Sequence, residues 1–346
     1  MSEILRVAVI GAGRMGADHI KRLNTRIHGA EVAAVVDVDL ERAQSAVTGI
    51  PGAVALSNAR EALDNEDVNS VLIATPGFLH EEILLESLAR DIPILCEKPL
   101  APDAGSAWRI VQAEVDLGRK RVQVGFMRRF DADYAALGKI IREGGLGEII
   151  REGGLGEMLM LHCAHRNPDT PPGFTNEMLI NDSVVHEFDV IRYLAGEEIT
   201  SVQVRLGKPT KNAPAGQHDP QHVLIETESG ILADVEIYVN AQFGYQVATQ
   251  AVFEQGVVNI GGDGGPYVRS AGRWGGSITP GFEERFGAAY DVEVQAWVDA
   301  ARRGEIGGPS AWDGYATAAC CEAGVEAQKN GDKVAVALNR RPALYS

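Results

Sequence analysis

Over the first 125 residues, short apolar runs alternate with longer stretches whose apolar residues recur at helical spacing. The first run, residues 4–10, is interrupted only by Arg6, which is typical of a strand buried on both faces of a parallel sheet. Similar runs predict five more strands, at 31–36, 53–56, 68–75, 92–96 and 121–125, with helices between them at 15–27, 40–47, 78–89 and 104–117. Six strands alternating with helices of this length predict an α/β domain with a doubly wound parallel sheet.

After Phe126 the pattern changes to short β-rich runs about ten residues apart with glycine turns, which is typical of an antiparallel sheet. Strands are predicted at 158–164, 199–204, 222–227, 231–238, 246–253 and 257–260, and helices at 131–142, 182–195, 288–303 and 313–330. We therefore expect a second, α+β domain with a large, mostly antiparallel sheet. The boundary is placed near Gly125, with residues 1–125 in the first domain and 126–346 in the second.

One nonapeptide occurs twice in tandem, at residues 140–148 and 149–157. A solenoid needs longer units stacked at least three deep, so this repeat indicates a local duplication at a helix end or an error in the sequence. One Gly-Gly pair can end the helix and the other copy can loop out, at little cost in chain entropy.

Composition places the 346-residue chain among globular proteins, with 45% apolar and 23% charged residues. Its net charge of −16, from 32 Lys+Arg and 48 Asp+Glu without a long basic run, disfavours nucleic acid and anionic membrane as partners. No apolar run reaches the ~18 residues of a membrane span, and residues 4–10 are assigned to a strand rather than to a signal peptide. We expect a soluble, cytoplasmic protein.

A metal site is the one alternative that the cysteines and histidines raise. His162, Cys163 and His165 lie close together, but the stretch alternates like a strand and sends His162 and Cys163 to opposite faces. No second ligand cluster accompanies them, so we expect no metal and treat the four cysteines as small buried hydrophobes.

The first candidate for chemistry is Gly11-Ala12-Gly13-Arg14-Met15-Gly16, which follows the first strand and opens the first helix. Its glycines let the backbone approach a pyrophosphate, and the helix N-terminus offers unpaired N–H groups. Asp37 ends the second strand, 21 residues past Gly16, close to the spacing of a carboxylate that binds the adenosine ribose. Val38 and Asp39 follow it, with no arginine, so this Rossmann pattern favours NAD over NADP. The alternative is an ordinary turn that binds nothing.

The second candidate is Glu97-Lys98-Pro99, which follows the fifth strand at the carboxyl edge where open α/β sheets bind ligands. A lysine there can approach the nicotinamide end of a cofactor, and its bond to Pro99 can be cis. Thr75-Pro76 ends the fourth strand on the same edge. The alternative for Glu97 and Lys98 is a solvated ion pair.

The third candidate is a helix face that carries Asp182, His186, Asp189 and Tyr193 at spacings i, i+4, i+7 and i+11. A carboxylate one turn before a histidine can orient it, raise its basicity and bind a substrate hydroxyl. The alternative is a polar surface stripe with an acidic first turn.

Together these motifs resemble the Gfo/Idh/MocA oxidoreductase family over essentially the whole chain. His165-Arg166-Asn167-Pro168, Met127-Arg128-Arg129-Phe130-Asp131 and the Asp182/His186/Asp189 pattern resemble its inositol-oxidising branch. The family has one copy of the nonapeptide, so the duplication puts in doubt the geometry between the helix at 131–143 and the strand bearing His165.

The resemblance implies a catalytic trio of Lys98, Asp182 and His186. It further implies polyol contacts, in which Asp182 also takes part, at His165, Asn167, Ser183, Asp189, Tyr245 and Tyr290. The residues expected to bind the cofactor are Gly11, Ala12, Gly13, Arg14, Met15, Asp37, Thr75, Pro76, His80, Glu97 and Lys98. Such enzymes are usually homotetramers built through the sheet of the second domain.

The expected activity is NAD-dependent oxidation of one secondary hydroxyl of a cyclic polyol to a ketone, with myo-inositol as the first choice. One alternative is the same chemistry on another inositol isomer or a pyranose sugar. Another is a non-catalytic NAD-binding regulator on the same fold.

Overall fold

The computed structural model describes residues 4–143, 154–262 and 268–346. The chain divides into two compact units, the first made of Met1–Met127, Tyr290–Ala318 and Asn339–Ser346 and the second of Arg128–Ala289 and Ala319–Leu338. Most of the tandem nonapeptide, at 144–153, lies outside the described residues, so the expectation of a looped second copy stays a prediction.

The first unit is built on a six-stranded parallel sheet with the order β3-β2-β1-β4-β5-β6. Its strands are β1 (Leu5–Ile10), β2 (Ala30–Val36), β3 (Val54–Leu56), β4 (Ser70–Ile73), β5 (Ile94–Glu97) and β6 (Val122–Gly125). This is the strand order of the dinucleotide-binding Rossmann fold, and it confirms the predicted doubly wound sheet. The order reverses between β1 and β4, which is where such sheets bind ligands.

Helices follow most of these strands: α1 (Arg14–Thr25), α2 (Leu40–Ala46), α3 (Ala59–Leu63), α4 (His80–Ala89) and α5 (Ala104–Leu117). Side-chain oxygens of Asp39, Asn58 and Asp103 cap α2, α3 and α5. The five-residue α3 was not predicted, because one turn with two buried residues gives no measurable helical period.

The core of the first unit also contains residues from the C-terminal part of the chain. Val294, Trp297, Val298 and Ala301 pack with Val7 and other residues of the parallel sheet. They belong to α9 (Phe282–Ala301), which begins about six residues earlier than predicted and precedes α10 (Ala311–Asn330). Segments 290–318 and 339–346 therefore join the first unit, whereas the division at residue 125 places them in the second.

The second unit contains a seven-stranded sheet with the order β12-β11-β7-β10-β9-β8-β15. Only the β7–β10 pair is parallel, which confirms a mostly antiparallel sheet. The strands are β7 (Met158–Arg166), β8 (Ile199–Leu206), β9 (Gln221–Thr227), β10 (Leu232–Tyr238), β11 (Gln246–Phe253), β12 (Gly256–Ile260) and β15 (Lys333–Ala335), and a separate hairpin joins β13 (Val268–Ser270) to β14 (Arg273–Gly275).

The helices of the second unit include α6 (Ala132–Glu143), α7 (Asn176–Met178) and α8 (Val185–Ala195). A π-helical segment, Leu179–Val184, lies between α7 and α8. The prediction of one regular helix from residue 182 is therefore wrong at its start. No helix in the described ranges is long and apolar enough to cross a membrane.

Candidate functional site

The glycine turn after β1 depends on the absence of side chains at two positions. Gly11 has φ +99°, and a Cβ there would lie 2.5 Å from the carbonyl oxygen of Ala74. A Cβ on Gly16 would lie 1.8 Å from the carbonyl oxygen of Gly11. A Cβ on Gly13 would meet no heavy atom of the described residues within 4 Å. The tight turn therefore requires glycine at Gly11 and Gly16, whereas the space beside Gly13 is open among the described residues.

The turn leads into the 12-residue helix α1, which has no side-chain hydrogen bond from its N-cap residue. Gly13 is its N-cap residue, and its first turn contains no acidic residue. Unpaired N–H groups and the helix dipole together bind phosphate groups. The geometry at Gly13 thus fits the pyrophosphate of a dinucleotide.

Asp37, at the end of β2, is buried and points back toward the glycine turn. Its Oδ2 accepts from Ala12 N at 2.9 Å and its Oδ1 from Asp39 N at 3.0 Å. Burial alone would raise the pKa of this carboxyl, but these two N–H groups and the Arg42 guanidinium outweigh it and hold the pKa below its usual range. Asp37 is therefore an anion beside the glycine turn, at the position where a Rossmann fold binds the adenosine ribose.

Arg42 is a site residue that the sequence reasoning missed. Its NH1 lies 3.2 Å and 3.3 Å from the two carboxylate oxygens of Asp37. An arginine in α2, five residues after the carboxylate, carries no motif signal, because only the helical turn between them brings the two side chains together.

A cavity of about 720 Å³ in the first unit extends from the glycine turn past Asp37. It is lined by Gly11, Gly13, Asp37, Arg42, Asn58, Arg60, Thr75, Pro76 and Phe78, among others. The hydroxyl oxygen of Thr75 is buried and has no hydrogen-bond partner among the described residues. A buried hydroxyl normally has one, so a dinucleotide lying along this cavity would supply the missing partner.

His80, expected to contact the cofactor, is fully buried and is not among the residues lining that cavity. Its Nε2 and Nδ1 lie 2.8 Å from the carbonyl oxygens of Thr75 and Pro99. Burial lowers the pKa of His80, while the two carbonyls and Glu97 act in the opposite direction. His80 therefore braces the loop after β4 against the loop that follows Lys98.

The Glu97-Lys98-Pro99 segment ends β5, and the Lys98–Pro99 peptide is cis. Glu97 is buried, and its Oε1 lies 2.8 Å from Nε2 of His19 on α1. Its Oε2 accepts from the backbone N–H of Lys98 at 3.2 Å. Glu97 is thus a buried support for the Lys98 loop, which replaces the alternative of a solvated ion pair. His19 is a second residue that the motifs did not indicate.

Tyr290, expected to contact substrate, lies in the first unit. Its ring packs edge-on against His19 at 5.9 Å between centroids, and the guanidinium of Arg22 lies 5.3 Å from its centre. The ring of Tyr290 therefore packs against the histidine of the His19–Glu97 pair.

In the second unit, Asp182 and Ser183 lie in the π-helical segment and His186 in the first turn of α8. His186 and Ser183 are buried, and Asp182 is half-buried. Short π-helical segments occur often at functional sites, because the wider turn shifts the register of the side chains. The interpretation of this face as a solvated surface stripe is therefore wrong for His186.

His165 is the second-last residue of β7, and Asn167 directly follows the strand. Nδ1 of His165 lies 3.1 Å from both Arg128 and Glu187, so that ring nitrogen is engaged inside the unit. The side-chain oxygen of Asn167 is buried and has no hydrogen-bond partner in the part of the chain that the structure describes. It is an acceptor that a ligand hydroxyl would satisfy.

Arg128 and Glu187 form a fully buried ion pair beneath His165. Burial would raise the pKa of Glu187, but Arg128 and His165 outweigh it and lower the pKa to about 2. Burial would lower the pKa of Arg128, but Glu187 reverses this and raises it. This pair, which fixes the position of His165, was not among the predicted site residues.

The carboxylate of Asp189 is hydrogen-bonded to another side chain of the same unit. Both its carboxylate oxygens accept from Arg129, at 2.6 Å and 2.9 Å, and only 1% of its surface is exposed. Tyr193, on the same helix face, stacks under Arg129 at 5.3 Å. Asp189 thus orients Arg129, and its expected contact with substrate stays a prediction.

Tyr245 is buried against the ring of His165, 6.2 Å between centroids, and against Phe286. Burial raises the pKa of its hydroxyl to about 12, although the charge of Arg128 lowers it. Tyr245 is therefore neutral over the physiological range and can act as a donor beside His165.

The strand bearing these residues alternates as predicted. Cys163 and His165 are buried, whereas the His162 side chain is 42% exposed and bonds Asp234 on the other face of the sheet. Within the described ranges, no three or more His, Cys, Asp or Glu residues are arranged to hold a metal ion.

Residues 5–126 match the oxidoreductase family described by its NAD-binding Rossmann fold, and residues 148–336 match the C-terminal alpha/beta domain of the same family. Inositol 2-dehydrogenases from Arthrobacter sp. (strain FB24) and Pseudarthrobacter chlorophenolicus are 80% and 79% identical to this chain over 346 residues, and the matches cover 100% of all the chains. A crystal structure of myo-inositol dehydrogenase from Lactobacillus casei in complex with NAD(H) and myo-inositol has a TM-score of 0.93 at 34% identity, covering 99% of this chain and 100% of that chain.

The family matches cover both halves of the chain, and the two bacterial relatives cover it from end to end. With the glycine turn, the buried Glu97 beside Lys98 and the π-helical turn before His186 in place, the chain belongs to the Gfo/Idh/MocA oxidoreductase family.

Proposed function

We propose that this protein is an NAD-dependent inositol 2-dehydrogenase, which oxidises the secondary hydroxyl at position 2 of myo-inositol to the ketone, 2-keto-myo-inositol. The observation that carries the proposal is 80% identity, over the full length of both chains, to an inositol 2-dehydrogenase. The L. casei myo-inositol dehydrogenase, at 34% identity, adds support from a complex with NAD(H) and myo-inositol.

NAD would be held by the first unit. The uncapped α1 N-terminus would bind the pyrophosphate, Asp37 the adenosine ribose, and Thr75 and Pro76 the cofactor along the cavity. When bound, the nicotinamide ring supplies the acceptor for the hydride. The chain itself contributes orientation and electrostatics.

We assign the proton chemistry to Lys98, Asp182 and His186, on the family pattern. His186 removes the hydroxyl proton as the general base, and Asp182 positions the hydroxyl and orients the imidazole. The ammonium group of Lys98 holds the reacting oxygen and stabilises the negative charge that develops there. The Glu97–His19 pair supports this role, because Glu97 is held in a buried position and accepts from the backbone N–H of Lys98.

The remaining polyol hydroxyls need their own partners, since a buried hydroxyl without one is costly. The unpartnered oxygen of Asn167 supplies an acceptor, and Nε2 of His165 is the ring nitrogen that the Arg128–Glu187 pair leaves for the substrate. Ser183 and Tyr245 add hydroxyl groups that donate or accept.

We also propose a cytoplasmic homotetramer assembled through the seven-stranded sheet. The four cysteines are free and buried, as in proteins of reducing compartments. Analytical ultracentrifugation of the purified protein tests the assembly, and a monomer at micromolar concentration would contradict it. Cell fractionation tests the location, and recovery of the protein outside the cytoplasmic fraction would contradict it.

The activity is tested with a panel of inositol isomers and pyranose sugars, by following NADH absorbance and identifying the product by NMR. We expect the highest kcat/KM for myo-inositol and a ketone at carbon 2. A higher value for scyllo-inositol or a pyranose would reject the substrate. Binding of NAD without its reduction by any polyol would identify a regulator instead.

A further inference from the structure

Arg42 bonds both carboxylate oxygens of Asp37, which are the acceptors that the hydroxyls of a bound ribose would need. A carboxylate offers about four lone-pair positions. Oδ1 of Asp37 accepts from Asp39 N and from Arg42 NH1, and Oδ2 accepts from Ala12 N and from Arg42 NH1. Each oxygen thus already has two protein donors, and ribose hydroxyls can bond this carboxylate only by displacing Arg42.

Displacement is feasible, because Arg42 is the exposed partner of the pair and Asp37 the buried one. Its side chain is 51% exposed, whereas that of Asp37 is 6% exposed and is fixed by two backbone N–H groups. A second ion pair joins Arg42 to Asp39, which is 47% exposed, at 3.2 Å. Exposed pairs of this kind contribute little, so the guanidinium can turn away while it stays tethered close to the ribose.

The charge of Arg42 also changes what Asp37 does to a phosphorylated ribose. The carboxylate of Asp37 lines the cavity and that of Asp39 pairs with Arg42 close by, so two negative charges would repel a 2′-phosphate. Arg42 offsets one of these charges and provides a planar donor group that suits phosphate. No arginine directly follows Asp37 in the sequence, which favours NAD over NADP. Because Arg42 lies beside this carboxylate, we expect a weaker preference for NAD than that pattern alone predicts.

We propose that Arg42 sets how strongly the protein discriminates between NAD and NADP, by competing with the ribose for Asp37 and by reducing the repulsion of a 2′-phosphate. The inference rests on the proposed use of NAD at this cavity. It adds a residue whose removal improves binding of NAD and impairs binding of NADP.

The test is isothermal titration of the full-length protein with NAD and, separately, with NADP, without polyol. Arg42→Met keeps the stem of the side chain and removes its charge. We expect NAD to bind about two- to five-fold more tightly, the range of an exposed ion pair, and NADP to bind about ten-fold more weakly or worse. Arg42→Lys should fall between Arg42→Met and wild type with both cofactors.

Arg109→Met is the matched control, because Arg109 is also an exposed arginine paired with a carboxylate, Glu81, but neither residue lines the cavity. It should leave the affinity for NAD at the wild-type value. The proposal is overturned if Arg42→Met weakens NAD binding or leaves both affinities unchanged, or if Arg109→Met tightens NAD binding equally. Failure of the wild type to bind NAD would instead refute the proposed function.

Discussion

The proposed oxidation requires one proton to leave the substrate hydroxyl, and His186 is the residue that we expect to accept it. Removing a positioned proton acceptor costs about 10²–10⁴ in rate, equivalent to roughly 3–5 kcal/mol. His186→Ala should therefore lower kcat on myo-inositol by that factor. It should leave NAD affinity unchanged, because the glycine turn and Asp37 are untouched. Steady-state kinetics and a separate NAD titration measure the two effects.

His28→Ala serves as the control, since His28 is exposed on the first unit and outside the candidate site. It should retain wild-type kcat. Near wild-type turnover in His186→Ala would show that His186 has a structural role and that the proposed mechanism is wrong.

The site residues that the sequence did not predict are those whose interaction partners lie far away in the sequence. The motifs indicated Asp37, Glu97 and Lys98 because each follows the end of a predicted strand. They did not indicate His19, 78 residues from its partner Glu97, or Glu187, 59 residues from Arg128. A motif reports residue types that are close in sequence, whereas side-chain pairing depends on packing between elements.

The glycines between β1 and the first turn of α1 have different structural roles that single substitutions at Gly13 and Gly16 can separate. Gly13→Ala adds a methyl group to open space, so we expect wild-type stability and clearly weaker NAD binding, because the methyl group occupies the path of the pyrophosphate. Gly16→Ala forces a Cβ onto the carbonyl oxygen of Gly11 and should destabilise the first unit by about 1–3 kcal/mol. Thermal unfolding and NAD titration of both variants distinguish the two roles. Equal loss of stability in the two variants would contradict the assignment.

Strong periodicity explains which helices and strands were predicted. All six strands of the parallel sheet were predicted, five of them from largely apolar runs that are mostly buried and β3 as a short, partly exposed strand at the sheet edge. The missed elements are short: α3 has five residues, and α7, β13, β14 and β15 have three each, too few to show a period. The π-helical segment also escaped prediction, since its residues fit an α-helical pattern equally well and only the backbone hydrogen bonds distinguish the two.

Division of the whole chain into units follows packing rather than sequence order. A boundary at residue 125 was drawn where the sequence pattern changes, but the parallel sheet still needs apolar cover at that point. Trp297 and its neighbours on α9 provide this apolar cover, although they lie about 170 positions later in the chain. A fragment that ends at residue 125 would expose this part of its core, so the isolated segment is expected to be less stable than the complete first unit.

The acid stability of the protein should depend on the buried Arg128–Glu187 pair. The folded-state pKa of Glu187 is about 2, below its ordinary value of 4.5. A depressed pKa contributes stability that is fully present above pH 4.5 and is lost as the pH falls toward 2, because the unfolded chain binds the proton first. Glu187→Gln should therefore unfold with less dependence on pH than the wild type between pH 5 and 3. At pH 7 the variant leaves Arg128 buried without its carboxylate, which should cost about 3–5 kcal/mol.

Urea denaturation at a series of pH values measures both effects. Glu226→Gln is the control, because Glu226 forms an exposed ion pair with Lys333 and its removal should cost no more than about 1 kcal/mol at pH 7. If Glu187→Gln does not fold, the double variant Arg128→Met/Glu187→Met removes both charges together and should recover much of the lost stability while keeping the weaker pH dependence. A Glu187→Gln protein as stable as the wild type at pH 7, or a double variant with the full wild-type pH dependence, would show that this pair does not control acid unfolding.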